Sequence, residues 1–503
     1  ADPAPRGDAP PPELPPGMAI PAFTDAAAVA QLPAVNARTL NWLDADGDPH
    51  PDLLVDGRRL FRNDGPPTFT FTEVTRPAGL ASAEPGAVLA CDVDNDGDTD
   101  IVSAQGHLWI NTGEGQFTDR AGEAGFAPHE KTFCLGAADV DGNGFVDFYA
   151  AMAEDWNDGN PEYYPHELWL NEDGRRFRED GAAAGIDRKT YGRSVVCHDV
   201  DDDGDADIYV ANYRLTANVL WINDGQGRFT DRADAYGVAG VHDPDRYFDA
   251  TPVQRFGPRY GHTIAACWWD QDGRDGLDLV TANLAHKYVG PTSRGGRRYD
   301  IRGYLCDDSH LYRRRGDRFV PSREQWGVPV KPIGDREKYR GDELWAGCTP
   351  ADLNNDGWMD RYVPQIYDLP YATARLFVNT HGEHLTDGAW VAGIDVVDTY
   401  AGAWADYNGD GWMDLATAGR SGQGQTPRLR LFRNEGISGH TRGWIKVRLR
   451  AGTESGTAVG SLVTVTAGGH SQTQIAGAGL GSRGQQNDPV LHFGLGLTDG
   501  DAV

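Results

Sequence analysis

The chain contains no apolar run approaching the roughly 20 residues that a membrane-spanning helix requires. It has no basic stripe either. Lys and Arg together number 46 against 75 Asp and Glu, a net charge of −29. Without a stripe to neutralise a run of backbone phosphates, the composition argues against nucleic acid as a partner. Helical periodicity is scarce, while glycine and proline are abundant, which favours short strands joined by turns. No Ser–His–Asp triad, Walker loop or zinc-ligand spacing can be found. No signal peptide opens the sequence. It starts ADPAPRGDAPPPELPPG, and residues 1–16 read as a flexible Pro-rich leader. The Arg-Gly-Asp at Arg6–Asp8 is common enough by chance in this composition to carry no weight. Cysteine is sparse, at six. Cys91, Cys134, Cys197, Cys267 and Cys348 each fall just before an acidic segment. Burial as small apolar side chains is favoured for them, with disulfides or metal binding as the alternatives.

What is present is a repeat. Seven segments carry an apolar strand into an acidic loop and out along a second apolar strand. They are DADGDPHPDLLV from Asp44, DVDNDGDTDIVS from Asp92, DVDGNGFVDFYA from Asp139 and DVDDDGDADIYV from Asp199, then DQDGRDGLDLVT from Asp270, DLNNDGWMDRYV from Asp352 and DYNGDGWMDLAT from Asp406. A second element follows each, as in LWIN from Leu108 or LWIN from Leu220, and is degenerate only in the fifth copy, LYRRRG from Leu311. A third, FTD, follows at Phe117 and Phe229 but is missing after the seventh copy. It stands instead at Phe23–Asp25. Four short strands repeated seven times, with one strand displaced to the N-terminus, predict an all-β fold: a seven-bladed β-propeller over residues 17–438, closed by its N-terminal strand. Residues 439–503 read as a small all-β module.

Each loop sets oxygen side chains at positions 1, 3, 5 and 9, with glycine often at 6. Alternate residues of a tight turn can converge on one hard cation, and calcium takes six to eight oxygens. Carboxylates packed this closely repel unless a cation lies between them. The candidate ligands are Asp44, Asp46, Asp48 and Asp52 in the first loop, and Asp92, Asp94, Asp96, Asp98 and Asp100 in the second. The third offers Asp139, Asp141, Asn143 and Asp147, and the fourth Asp199, Asp201, Asp203, Asp205 and Asp207. The last three offer Asp270, Asp272 and Asp278; Asp352, Asn354, Asp356 and Asp360; and Asp406, Asn408, Asp410 and Asp414. The alternative for any one loop is a solvated acidic hairpin. In the fifth, Arg274 occupies position 5 and Gly276 position 7, which puts its site in doubt; in the first, Pro49 stands where glycine is expected. Several structural Ca2+ ions are expected, and with them a secreted protein whose signal has been removed.

The loops resemble the FG-GAP/VCBS repeats of integrin α-chain heads and of secreted bacterial proteins. The tail, WIKVRLRAGTESGTAVGSLVTVTAGG from Trp444 and NDPVLHFGLG ending at Gly496, resembles the ASPIC/UnbV module. Such modules usually continue with another strand, whereas this chain ends at Val503. Propeller plus tail is the layout of the cartilage acidic protein family. The resemblance implies calcium binding and secretion, and two kinds of function. Animal members are matrix glycoproteins. Bacterial UnbV relatives lie among enediyne biosynthesis genes, which implies carbon–carbon bond formation with no redox cofactor.

Successive first aspartates are 48, 47, 60, 71, 82 and 54 residues apart. The extra length falls in Glu154–Glu167, His242–Gly261, Ala285–Ser309 and Pro329–Asp342, all on the face opposite the acidic loops. A pocket is expected there. Its candidate substrate-binding residues are Trp156, Tyr164, Tyr191, Tyr247, Phe248, Tyr288 and Trp345. His262 with Glu343 is the leading base, and Arg193 or Lys131 the holder of an enolate, in a base-assisted conjugate addition to a small polycyclic substrate. For each residue singly, loop packing or a rim salt bridge is the competing explanation. The competing function is a secreted calcium-dependent module that binds a protein or glycan.

Overall fold

The computed structural model describes residues 14–15, 18–157, 160–242, 260–285, 307–330, 343–366, 373–419, 429–439, 442–450 and 456–498. The blades are seven antiparallel sheets, each of four strands, with Glu343–Leu344 added as a fifth strand beside Asp278–Ala285 in the fifth blade. The first strands of the seven blades are Leu40–Leu43, Val88–Cys91, Thr132–Ala138, Gly192–His198, Thr263–Trp269, Thr349–Ala351 and Thr399–Ala405. Each is followed by its acidic loop, and each is buried along most of its length, because it lies between two neighbouring blades and against the central channel. Small residues dominate there for a steric reason. A Cβ on Gly136 would stand 2.3 Å from Val195 Cγ1, and one on Gly402 would stand 2.3 Å from the Tyr362 ring.

The ring closes with the displaced strand. Phe23–Asp25 pairs with Arg430–Asn434 as the fourth strand of the seventh blade, Phe23 opposite Asn434 and Asp25 opposite Phe432. A further lock recurs between blades. The asparagine of each LWIN-like strand donates its side-chain amide to a loop carbonyl of the preceding blade: Asn111 to Ala45, Asn171 to Val93, Asn223 to Val140, Asn379 to Gln271, Asn434 to Leu353, and Asn63 to Tyr407 across the closure. The degenerate fifth blade has Arg314 at this position, and its guanidinium reaches back to the Asp202 carboxylate at 2.7 Å. The lock is kept by a different chemistry.

The C-terminal residues form two small sheets, Arg442–Val447 with Leu491–Thr498 and Leu462–Ala467 with His470–Ile475. They sit over the acidic-loop face. His470 stacks on Trp358 of the sixth loop at 3.6 Å, Lys446 pairs with Asp406 at 2.9 Å, and Arg448 pairs with Asp44. Between these sheets, residues 479–488 enter the channel. Gly481 N–H donates to Ala266 O, Gln486 N–H to Leu40 O and Asp488 N–H to Trp404 O. Asn41 donates to Gly484 O, Ser194 to Gly481 O, and Asn487 to Pro350 O. Gly479 and Gly484 lie against the Leu135 carbonyl of the third blade. With Gln486 bonded to Ala90, the segment touches the first strand or its flank in all seven blades. It is a plug.

The five described cysteines are free, and all but Cys197 are fully buried, in keeping with an apolar role. No helix among the described residues is long and apolar enough to cross a membrane.

Candidate functional site

Two places concentrate polar side chains. The first is the ring of acidic loops. Ligand oxygens of Asp92, Asp94 and Asp96, of Asp139, Asp141 and Asp147, and of Asp199, Asp201 and Asp203 lie within 4.8 Å of one another in each group. Position 1 is aimed by the backbone: Asp92 accepts N–H groups from Asp96 and Gly97, and Asp199 from Asp203 and Gly204. Gly97 and Gly204 take φ of +96° and +98°, a turn geometry that a side chain would strain. Burial, reinforced by Asp96 and Asp94, pushes Asp92 up to about 6. The position-3 oxygens Asp46 Oδ1, Asp94 Oδ1 and Asp201 Oδ1 are buried with no hydrogen-bond partner. Buried anionic oxygens without donors suit a hard divalent cation.

The position-9 aspartates also make backbone bonds. Asp100 accepts Val93 N–H at 2.8 Å and Asn111 N–H at 2.7 Å, one on each oxygen. Asp52, Asp147, Asp207, Asp360 and Asp414 repeat the pattern. They staple loop to third strand, and of them only Asp147 joins a ligand cluster among the described residues. Asp98 and Asp205, at position 7, lie outside the clusters too. The fifth loop is occupied by arginine: Arg313 pairs with Asp272, while Asp270 accepts Gly273 N–H and Thr473 N–H. The doubt raised by Arg274 thus has a structural counterpart.

The second place is the channel mouth opposite the loops, where the first strands begin. Arg193 lies over Phe133 at 4.5 Å, Tyr213 at 5.1 Å and Tyr191 at 5.3 Å. Tyr213 is 4.3 Å from the His262 ring and 4.9 Å from Arg214. Arg214 lies 5.3 Å from Trp156, whose indole is 43% exposed, and is tied to Glu154 at 2.7 Å. Trp156 rides on the hairpin Glu154–Asn157 with Asn160–Tyr163, which is the first of the four insertions. Rings and guanidinium planes thus run continuously across blades three, four and five. From the far side the plug adds Arg483, 4.2 Å from the same Phe133 ring.

With this geometry in place, comparison with known proteins gives a consistent result. The FG-GAP-like repeat pattern matches residues 44–103 and 92–150. The chain is 25% identical to cartilage acidic protein 1 of Mus musculus over 454 residues, and 25% identical to that of Homo sapiens over 453. It resembles the cartilage acidic proteins. These alignments cover 83% of this chain, and the chain spans about 60% of the length of the mouse relative. Among solved structures, an Agrocybe aegerita lectin specific for non-reducing terminal N-acetylglucosamine is similar at TM-score 0.38 and 14% identity, covering 80% of this chain and 93% of its own. The Vibrio cholerae biofilm matrix protein Bap1 is similar at TM-score 0.34 and 10% identity, covering 80% and 88%.

The FG-GAP-like propeller gathers some of the expected pocket residues and separates others. Trp156, Tyr191, Arg193 and His262 meet at the mouth. Tyr164 and Lys131 lie at its margin: Tyr164 packs on His129 at 4.8 Å, and Lys131 pairs with Asp155 at 3.1 Å. Trp345 is a correction. It is 2% exposed, packed between Arg323 and Phe377, and offers no face to a substrate. Glu343 is another, because Arg323 holds both its oxygens, at 2.7 and 2.6 Å. A carboxylate so engaged is a poor base, which leaves His262 alone in that role. Tyr247, Phe248 and Tyr288 lie outside the described residues, as do most of the second, third and fourth insertions. Phe133, Tyr213, Arg214 and Arg483 were not anticipated. Phe133 carried a usable signal, two residues past Lys131 at the start of a first strand. Arg483 carried none.

A cavity of about 180 Å3 lies elsewhere, between the C-terminal sheets and the acidic-loop ends of the blades, rather than on the opposite face where a pocket was expected. Its walls come from both the docked module and the blades beneath it, and pairs cross between the two, Arg448 with Asp44 and Thr473 N–H with Asp270. It reads as a loosely filled interface.

Proposed function

We propose that this chain is a secreted, calcium-organised propeller that binds a small aromatic ligand at the channel mouth opposite the acidic loops. The observation that carries the reading is the continuous run of Trp156, Arg214, Tyr213, Arg193, Tyr191 and Phe133, backed by a plug that closes the channel behind it. Stacked rings and guanidinium planes favour a flat, polarisable guest. Calcium in the second, third and fourth loops would hold the first strands in the register that aims these side chains. Secretion is supported by the relatives and by the calcium loops.

A second reading is favoured by His262, whose ring adjoins this run at Tyr213. There the guest is also a substrate. His262 removes a proton, Arg193 holds the enolate, and a carbon–carbon bond closes by conjugate addition without a redox cofactor, as in enediyne-type biosynthesis.

The test is a thermal-shift screen of the full chain in saturating calcium, with anthraquinone-like polycycles beside glycans and matrix peptides. A rise in Tm with a polycycle, lost in Trp156→Ala and Arg214→Ala, supports ligand binding at the mouth. A rise with only a glycan or peptide overturns it in favour of adhesion. Turnover is then sought by mass spectrometry with polycyclic enones; a cyclised product formed by wild type and equally by His262→Gln removes His262 from the mechanism.

A further inference from the structure

In a chain of net charge −29, Arg193 and Arg483 share the Phe133 ring at the channel mouth without a carboxylate partner, and Arg38 stands near enough to repel Arg483. Arg38, just before the first strand of blade one, lies 5.9 Å from the Tyr400 ring. Arg193 starts the first strand of blade four, and Arg483 forms the tip of the plug. The guanidinium carbons of Arg193 and Arg483 both lie within 4.5 Å of the centre of the Phe133 ring. Among the described residues none of the three makes an ion pair. Arg193 donates only to Tyr191 Oη, at 3.4 Å, and its Nε is buried with no acceptor. The carboxylate facing the group is Asp56, which accepts Arg38's backbone N–H at 3.1 Å. Several other half-buried and buried arginines do pair, Arg214 with Glu154, Arg314 with Asp202 and Arg323 with Glu343, while the fully buried Arg361 bonds to Gln271 and covers the Trp269 ring.

Arg483 is held in place at a cost. Its φ of +64° is left-handed, a conformation unfavourable for a side chain with a Cβ. Gly481 and Gly484 on either side turn the plug so that its tip passes Leu89 and Leu135 and presents Arg483 to Phe133. Burial, together with repulsion from Arg193 and Arg38, pulls the Arg483 guanidinium down to about 10. Like charges gathered in a half-buried site, one of them on a strained backbone, are destabilising unless an anion joins them.

We propose that Arg38, Arg193 and Arg483 form an oxyanion site at the channel mouth, which takes a carboxylate or phenolate group carried on an aromatic ring. The rings of Phe133, Tyr191 and Tyr213 cover the guanidinium faces, so the N–H edges are left to grip the oxyanion, and guanidinium suits that geometry. The inference rests on the reading of this mouth as a small-ligand site and adds the charge of the ligand. It also gives the C-terminal tail a part in recognition, since one of the three donors belongs to the plug.

Isothermal titration of the full chain, with calcium and 0.15 M salt, compares anthraquinone-2-carboxylate with the matching carboxamide. The carboxylate is expected to bind at least tenfold tighter. Arg193→Gln and Arg483→Gln are each expected to weaken the carboxylate at least tenfold more than they weaken the carboxamide. Should Arg483→Gln unseat the plug, seen as a large fall in Tm, Arg193→Gln carries the comparison. Equal affinity for both probes, lost in Trp156→Ala, overturns the oxyanion site and leaves the aromatic-ligand reading standing. If neither probe binds, inorganic phosphate decides: a rise in Tm that Arg193→Gln abolishes keeps the oxyanion site without the aromatic reading, and no rise overturns both.

Discussion

The side-chain amide of Gln486 bonds to both polar groups of one residue, accepting Ala90 N–H at 3.2 Å and donating to Ala90 O at 2.9 Å. It acts as a single peptide unit of an extra strand, satisfying an inner edge that no neighbouring blade can reach. Gln486→Ala leaves that N–H and C=O buried and unpaired, at about 1–3 kcal/mol for each group so exposed. Unfolding in urea is therefore expected to show a loss of about 2–6 kcal/mol. A loss under about 0.5 kcal/mol, the range of ordinary surface substitutions, would mean the plug is not seated as described.

Metal binding by the acidic loops predicts a contrast between loops. Asp94→Asn removes charge from a cluster whose position-3 oxygen has no other partner. Calorimetric titration of calcium is expected to lose one binding event, with a fall in Tm at saturating calcium. A site filled at 100 times its Kd contributes about 2.7 kcal/mol. Asp272→Asn, in the loop that Arg313 already occupies, is expected to leave the number of ions unchanged. Equal losses from both variants, or none from either, would count against this assignment.

The amide pegs predict a cost at the joints between blades. Asn111 donates to Ala45 O at 2.8 Å and to Thr99 O at 3.0 Å, and accepts N–H groups from Thr112 and Gly113. Asn111→Asp keeps shape and acceptors but loses both donations and buries a charge. It is expected to cost at least as much as Asn111→Ala, about 2 kcal/mol or more, in chemical denaturation. If Asp were tolerated better than Ala, the donated bonds would not be what matters.

How far the sequence reveals this molecule depends on the range of the interaction. The acidic loops, the LWIN strands and the displaced FTD at Phe23 are local, repeated patterns, so blades and closure could be read directly. The plug could not. Residues 479–488, GLGSRGQQND, have no periodicity, and they are fixed by single hydrogen bonds to strands hundreds of residues away. The same holds for Glu343. Its position near the mouth followed from strand order, but its capture by Arg323, from a turn of blade five, depends on a fold-back that spacing does not encode. The mouth itself was half legible: Tyr191 and Arg193 sit at a strand start that repeats, whereas Tyr213 and Arg214 follow a second strand that varies between blades.

His166 gives the fold a response to acid that does not depend on the loops. Its ring is 3% exposed and fully engaged, Nδ1 with Tyr149 Oη at 2.7 Å and Nε2 with Thr190 O at 3.2 Å, while Tyr149 Oη also accepts the Trp221 indole N–H at 3.0 Å. The Thr190 carbonyl can only accept, so Nε2 carries the proton and Nδ1 accepts from the tyrosine. A second proton has no acceptor to meet, and burial pulls His166 from 6.5 to about 4. The unfolded chain therefore binds a proton between those values that the folded chain refuses. Stability from this group is complete above about pH 6.5, falls as the pH drops, and reaches its full loss, on the order of 3 kcal/mol, below about pH 4. His166→Gln should lower stability at pH 7, through the network it disturbs, yet flatten the decline between pH 6.5 and 4. Urea unfolding of both proteins across that interval measures the difference in slope. Parallel slopes would mean that His166 is not the group that takes up the proton on unfolding.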